Sequence, residues 1–375
     1  MNEEIIQLRH SLHKEPEVSN DEFKTADRIS AFMMSLKPDE AVKLSKTGLA
    51  FVFDSGNPGQ TSMFRAELDA LPIKEINTFD YASENDAAHA CGHDGHMSII
   101  AALGQNIAAN PPHKGRTILL FQPAEEVEQG ARDVVNDPNF KAIEPDYIFA
   151  LHNIPGVPKH QILLKNGSFA AASKGMTVKL TGKTSHAAEP ENGISPADAI
   201  SRIISELHVL RSQRELFSDL TLLTIIHIQL GEISFGTSPG YAEIRITLRA
   251  FENKDMELLT EKSEKIIKSI AAEEDLNCEI GYSEVFPATV NDETSVKLIE
   301  DAAKAHQLNI QYLVKPYKWS EDFAYYTEKY KGGFFGLGAG QDQPPLHNPD
   351  YNFPDDIIET GMNVFYHIYK KLHHD

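Results

Sequence analysis

Apolar residues recur along this chain in two spacings. Ile5, Ile6, Leu8 and Leu12 follow a helical period that stops before Glu15-Pro16, where proline disfavours helix in the preceding residue. A second helix is expected over about 21–36. By contrast 49–53, 62–68, 117–121 and 147–151 are short apolar runs bounded by Gly, Pro, Asn or Asp, the pattern of buried strands. A helix over 97–109 falls between the second and third runs. That strand, helix, strand order predicts an α/β fold with a mostly parallel sheet.

From about residue 173 the pattern changes to strand 176–180, helix 196–212, strands 222–230 and 242–250, helix 255–272 and strand 278–282. This β-α-β-β-α-β order predicts a ferredoxin-like module inserted into the first domain. The expected domains are therefore 1–173 with 286–375, and an insert over 174–285. A helix over 294–306, the glycine-rich run 332–338 and an amphipathic helix over 356–372 complete the first domain. No internal repeat or low-complexity tract is evident.

A chain of 375 residues, 41% hydrophobic and 24% charged, fits two ordinary globular cores. The formal charge of −20 opposes approach to nucleic acid and to anionic membrane surfaces. No basic region followed by an apolar run opens the chain, and no stretch is long and apolar enough to span a bilayer, so a cytoplasmic protein is expected. Of the two cysteines, Cys91 sits among histidines and reads as a reduced thiol used for its chemistry, whereas Cys278 lies in an apolar strand and reads as packing.

Residues with catalytic chemistry cluster where strands end. Asp69 follows the second run, Glu125 and Glu126 the third, His152 the fourth, and Cys91 and His93 precede the intervening helix. In open α/β sheets ligands gather beyond the carboxyl ends of the strands, so these positions are expected to converge. Cys91 and His93 offer thiolate and imidazole on a glycine-containing turn, a donor set suited to Zn²⁺-type metals. His89 and His96 flank them and are expected to orient ligands, while Asp94 reads as the cap of a helix starting near Met97. Glu125 and Glu126, adjacent in an extended segment, are expected to point to opposite sides, one to bind and the other to act as a base. Histidines elsewhere, such as His13, His160, His208, His227, His367, His373 and His374, lack neighbouring ligands and read as structural or solvent-facing.

Several stretches together carry a resemblance: Arg65-Ala66-Glu67-Leu68-Asp69-Ala70-Leu71-Pro72-Ile73, His89-Ala90-Cys91-Gly92-His93-Asp94-Gly95-His96, Phe121-Gln122-Pro123-Ala124-Glu125-Glu126 and Leu151-His152-Asn153. Gly182-Lys183-Thr184-Ser185-His186-Ala187-Ala188, Ser320-Glu321-Asp322-Phe323 and Leu346-His347-Asn348-Pro349 follow in order. The chain resembles, over nearly its whole length, the amidohydrolase branch (subfamily D) of the M20 metallopeptidases, which includes aminoacylases, hippurate hydrolases and auxin-conjugate hydrolases. The resemblance implies two divalent metal ions, Zn, Mn, Co or Ni, bound by Cys91, His93, Glu126, His152 and His347, with the Cys91 thiolate bridging them. It further implies Glu125 as the base, Asp69 steadying the ligands, and an insert that dimerises. The histidine matching His186 would come from the insert of a neighbouring subunit to stabilise the oxyanion.

The expected reaction is hydrolysis of the amide of a small N-acyl amino acid to a carboxylate and a free amino acid. Rival readings are deacetylation of N-acetyl-diaminopimelate, a dipeptidase, and a catalytically silent binding protein on the same fold. Two departures bear on substrate. Ser234-Phe235-Gly236-Thr237-Ser238-Pro239-Gly240 stands where relatives carry an asparagine-containing turn, and Glu191 follows Pro190 where the family commonly has histidine. The apolar run 221–230, as a sheet edge, predicts a homodimer.

Overall fold

The computed structural model describes residues 2–374. The chain divides into two compact units, 1–169 with 289–315 and 321–375, and 170–288 with 316–320.

The first unit is built on an eight-stranded sheet. In spatial order its strands are Glu40–Leu44, Gly48–Asp54, Arg116–Gln122, Thr61–Glu67, Tyr147–Pro155, Lys331–Gly340, Ile162–Leu164 and Ile310–Tyr312. The four central strands, from Arg116–Gln122 to Lys331–Gly340, are mutually parallel. The antiparallel pairings lie outside them. The sheet is thus mostly parallel, as the strand, helix, strand order predicts. Nearly every side chain of Gly48–Asp54, Thr61–Glu67 and Arg116–Gln122 is buried, which is why these segments read as unbroken apolar runs without alternation. The strands Glu40–Leu44 and Ile310–Tyr312 carry no such run, Ile162–Leu164 is an apolar run of only 3 residues, and the glycine-rich run lies in the long strand Lys331–Gly340.

Helix His93–Ala109 packs against the first helix, Glu3–Lys14, and the last, Ile358–His373. It begins at His93, not at Met97 as the apolar pattern predicts, because His93, Asp94 and His96 are buried polar residues with partners of their own. Asp94 is therefore not its cap. The N-cap is Gly92, at φ 90° with no side-chain cap bond. A Cβ at Gly92 would also sit 2.6 Å from the Asn153 carboxamide, so glycine is required there for space and for backbone shape.

The second unit is a four-stranded antiparallel sheet in the order Thr221–Leu230, Tyr241–Ala250, Ala172–Thr181, Asn277–Phe286. Helices Ala197–Ser212 and Asn253–Glu273 connect its strands in the ferredoxin-like β-α-β-β-α-β order. Met176, Val178 and Leu180 pack with Ile244, Ile246, Leu248, Ile203 and Leu207 in its core.

Candidate metal centre

Because the central strands run parallel, their carboxyl ends open on the same side, and five of the sequence candidates lie just there. Asp69 is two residues beyond Thr61–Glu67, Glu125 and Glu126 lie on the turn after Arg116–Gln122, and His152 is inside the longer strand Tyr147–Pro155. His93 opens the helix. His347 arrives from the C-terminal segment at φ 65°, its backbone N–H donating to Ala90 O at 2.9 Å, which ties it to the turn carrying Cys91.

Two clusters of potential ligand atoms share one sulfur. Donor atoms of Cys91, His93 and His152 lie within 4.8 Å of one another, as do those of Cys91, Glu126 and His347. The Cys91 Sγ is 3.4 Å from His152 Nε2. His93 Nε2 is 3.9 Å from Glu125 Oε2 and 3.8 Å from Glu126 Oε1, and Glu126 Oε2 is 3.7 Å from His347 Nε2. Glu125 and Glu126 do not point to opposite sides. Ala124 at φ 51° takes the segment out of extended backbone, so both carboxylates reach the same imidazole.

The far side of each imidazole is fixed. His93 Nδ1 donates to Asp69 O at 2.8 Å, and His152 Nδ1 donates to Asn153 O at 2.9 Å. Each ring thus turns Nε2 toward the shared space, the usual arrangement of a metal-ligating histidine. Asp69 Oδ2 accepts from Glu126 N at 3.0 Å and from Ser19 Oγ at 2.6 Å, tying the Glu126 turn to the segment that follows the first helix. His96 is held by Glu67 at 2.7 Å and Asn153 at 2.5 Å. Both ring nitrogens of His89 are buried and, among the described residues, have no hydrogen-bond partner, so His89 does not orient a ligand through a hydrogen bond as the sequence suggests.

Electrostatics distinguish this centre from an ordinary polar core. Burial, together with Glu126, Glu125 and Glu67, raises the Cys91 thiol well above its usual range. Burial lowers the pKa of His93, but the nearby carboxylates of Asp69, Glu67 and Glu126 outweigh that and carry it up to about 10. Burial, offset in part by His93, pushes Glu126 up to about 7. Buried His93 Nε2 and Glu126 Oε1 have no hydrogen-bond partner among the described residues. Surplus negative charge and orphaned donor atoms that face one another are what a divalent cation relieves, so thiolate, imidazole and carboxylate here fit Zn²⁺-type metals.

Behind Glu125 lies a buried ionic network that no sequence motif assigned a role. Arg65 reaches Glu67, Glu321 Oε1 at 3.0 Å, Asp322 Oδ1 at 2.6 Å and Gln122 Oε1 at 2.9 Å. Gln122 donates to both Asp322 oxygens. The available signal was a charged residue inside the apolar strand Thr61–Glu67, which needs a buried partner. Burial, with Glu321, Glu126 and Asp322 nearby, raises the Glu125 carboxyl well above the carboxylate range. His186 lies in the second unit on the short strand Ser185–His186, exposed, its Nδ1 accepting from Ala188 N at 3.0 Å.

Such donors at the carboxyl edge of a mostly parallel α/β sheet fit a metal-dependent hydrolase. The sequence matches the peptidase family M20/M25/M40 over residues 63–371, and the chain belongs to that family, as a metal-dependent enzyme of its amidohydrolase branch. It is 30% identical over 365 residues to a hippurate hydrolase of Campylobacter jejuni, covering 96% of this chain and 94% of that protein. It is 29% identical over 376 residues to an N-acetyldiaminopimelate deacetylase of Bacillus velezensis, covering 98% of both. The crystal structure of a Bacillus subtilis protein described as a dinuclear metal-binding peptidase of the M20 family matches with a TM-score of 0.84 at 26% identity, covering 99% of this chain and 98% of that one.

Proposed function

We propose that the protein hydrolyses the amide bond of N-acyl amino acids, releasing a carboxylate and a free amino acid. Two divalent ions, Zn, Mn, Co or Ni, would be held by Cys91, His93, Glu126, His152 and His347. The observation that carries this reading is the pair of donor clusters meeting at Cys91 beside the carboxylate of Glu125. When bound, the cations supply Lewis acidity that polarises a carbonyl and makes water easier to deprotonate.

Glu125 is the acid and base. It takes a proton from water and delivers it to the departing nitrogen, a role supported by the upward push on its carboxyl from burial and from Glu321, Glu126 and Asp322. Asp69 steadies His93 and the Glu126 turn through the hydrogen bonds described above. His186, supplied by the insert of a second subunit, stabilises the oxyanion. The second unit, 174–285 by sequence pattern, is the dimerisation module. On its edge strand Ile226, Ile228 and Leu230 are 61%, 40% and 42% exposed, and pairing with a second copy would cover that edge. A dimer mass in light scattering is the expected result, and a monomer at all concentrations removes the role given to His186. Both cysteines are free thiols, consistent with a reducing, cytoplasmic setting.

The likeness to the diaminopimelate deacetylase favours a second reading on the same machinery, in which the acyl group is acetyl and the amine is diaminopimelate. Turnover of acetyl-diaminopimelate set against benzoyl-, indolyl- and other acetyl-amino acids, with each metal added back, decides between them. No hydrolysis of any member with any metal defeats both.

A further inference from the structure

The family match begins at residue 63, yet a residue far upstream holds the turn that carries Glu125 and Glu126. Glu22 is fully buried. It occupies the N-cap of helix Phe23–Ser35, where a carboxylate ordinarily accepts from its own helix, and it makes no such bond. Its oxygens go elsewhere. Oε1 accepts from Ala124 N at 2.9 Å and from Asn20 N at 2.8 Å, and Oε2 accepts from Thr47 Oγ1 at 2.8 Å.

Ala124 is the residue whose left-handed backbone, φ 51°, brings both glutamates to one imidazole. A residue with a Cβ pays for that conformation and keeps it only where its surroundings enforce it. The enforcing contacts are the Glu22 carboxylate on its N–H, and Gln129 N and Gly130 N donating to its carbonyl at 3.2 and 3.1 Å. Ser19, three residues before Glu22, donates to the same Asp69 oxygen that receives Glu126 N. One short segment between the first two helices therefore clamps the residue on each side of Glu125.

We propose that Glu22 is a positioning residue for the metal-ligand and general-base turn, acting by fixing Ala124 in its left-handed conformation. This rests on the roles proposed for Glu125 and Glu126. The mechanism is hydrogen-bond geometry, so an uncharged acceptor of the same length serves nearly as well. Glutamine in this position keeps an oxygen for Ala124 N and an amide for the Thr47 hydroxyl. Alanine keeps neither. Glycine at 124, which adopts positive φ without penalty, lessens the need for the clamp.

The test uses the full-length enzyme, steady-state kinetics on the best substrate of the panel, and Zn²⁺ affinity of the apoprotein by competition with a chromophoric chelator. Glu22→Ala is expected to lower kcat by about 10- to 100-fold with KM within about threefold, and to weaken Zn²⁺ binding by about tenfold. Adding Ala124→Gly to that variant should recover a large part of both losses, which a generally weakened fold would not show, and Glu22→Gln should stay within about fivefold of wild type. If Glu22→Ala does not fold, Ala124→Val probes the turn directly and should reproduce both losses. Wild-type kcat and Zn²⁺ affinity in the alanine variant, no recovery with glycine, a glutamine variant as impaired as alanine, or an unaffected Ala124→Val each overturn the clamp. Glu125→Gln, run alongside, separates the two failures: if it stays active, the base assignment falls, and if it is dead while Glu22→Ala is normal, only the clamp falls.

Discussion

The two units bury apolar side chains alike and treat charge in opposite ways. Among the described residues of the second unit, the buried polar side chains are Ser173, Asp255, Thr260 and Ser263, and the one charge among them, Asp255, accepts from Ser218 N and Asp219 N at 2.9 Å each. The first unit buries Arg9, Glu22, Arg65, Glu67, Asp69, Asp94, Glu321 and Asp322 around its cysteine and histidines. Buried charges are costly unless paired and hydrogen-bonded, and exchanging a buried pair for apolar residues often stabilises a protein. A fold that needed only stability would look like the insert. The first unit accepts the desolvation cost on the side of the sheet where the donors meet, and the charges there hold the reacting groups in place.

The sharpest way to break this comparison is Glu125→Gln. It should lower kcat by about 10²- to 10⁴-fold while Zn²⁺ binding and the unfolding midpoint stay near wild type, as read by steady-state kinetics, chelator competition and thermal melts. Next in size is a matched pair of stability variants. Arg65→Met strands Glu67, Glu321 and Asp322 and should cost about 3–5 kcal/mol in urea unfolding, with weaker cation binding. Leu248→Ala, in the core of the insert, should cost about 2–5 kcal/mol and leave Zn²⁺ affinity unchanged. Equal effects of the two on the metal would dissolve the contrast.

A smaller effect belongs to pH. Burial alone would lower the pKa of His13, but Asp94 at 2.8 Å and Glu75 at 3.1 Å more than offset it and raise it from 6.5 to about 9. A raised pKa means the protonated form stabilises the fold. That contribution, about 3 kcal/mol, is whole below pH of about 6.5 and disappears as pH rises through about 9. Urea unfolding free energies measured across that window should fall for the wild type and flatten in His13→Gln. The smallest effect is expected at Phe235, which is 104% exposed in the loop before Thr237–Ser238. Phe235→Ser should change stability by less than about 0.5 kcal/mol. A larger loss that depends on protein concentration would mean the loop is covered in a dimer.

Much of this molecule is legible in its sequence. The buried strands, the helix after the Cys91 turn and the ferredoxin-like insert follow from periodicity, because a side chain's solvent preference is imposed residue by residue along the chain. The donor residues stood out because thiol, imidazole and carboxylate gathered where strands end. Two of the local expectations that fail do so for one reason. The sequence predicts Asp94 as a cap and Glu125 and Glu126 as opposed side chains, but Arg9 and His13 claim Asp94, and the left-handed Ala124 turns both glutamates toward His93.

What the linear pattern determined, then, was the kind of chemistry and the elements that carry it, since both depend on residue type and near neighbours. Tertiary structure alone decided which buried charge meets which: Arg65 with Glu321 and Asp322, Glu22 with Ala124, Asp69 between Ser19 and Glu126. A carboxylate or guanidinium looks the same in sequence whether it faces water or a partner a hundred residues away. Only the path of the chain, by removing water from around it, makes the choice of partner matter.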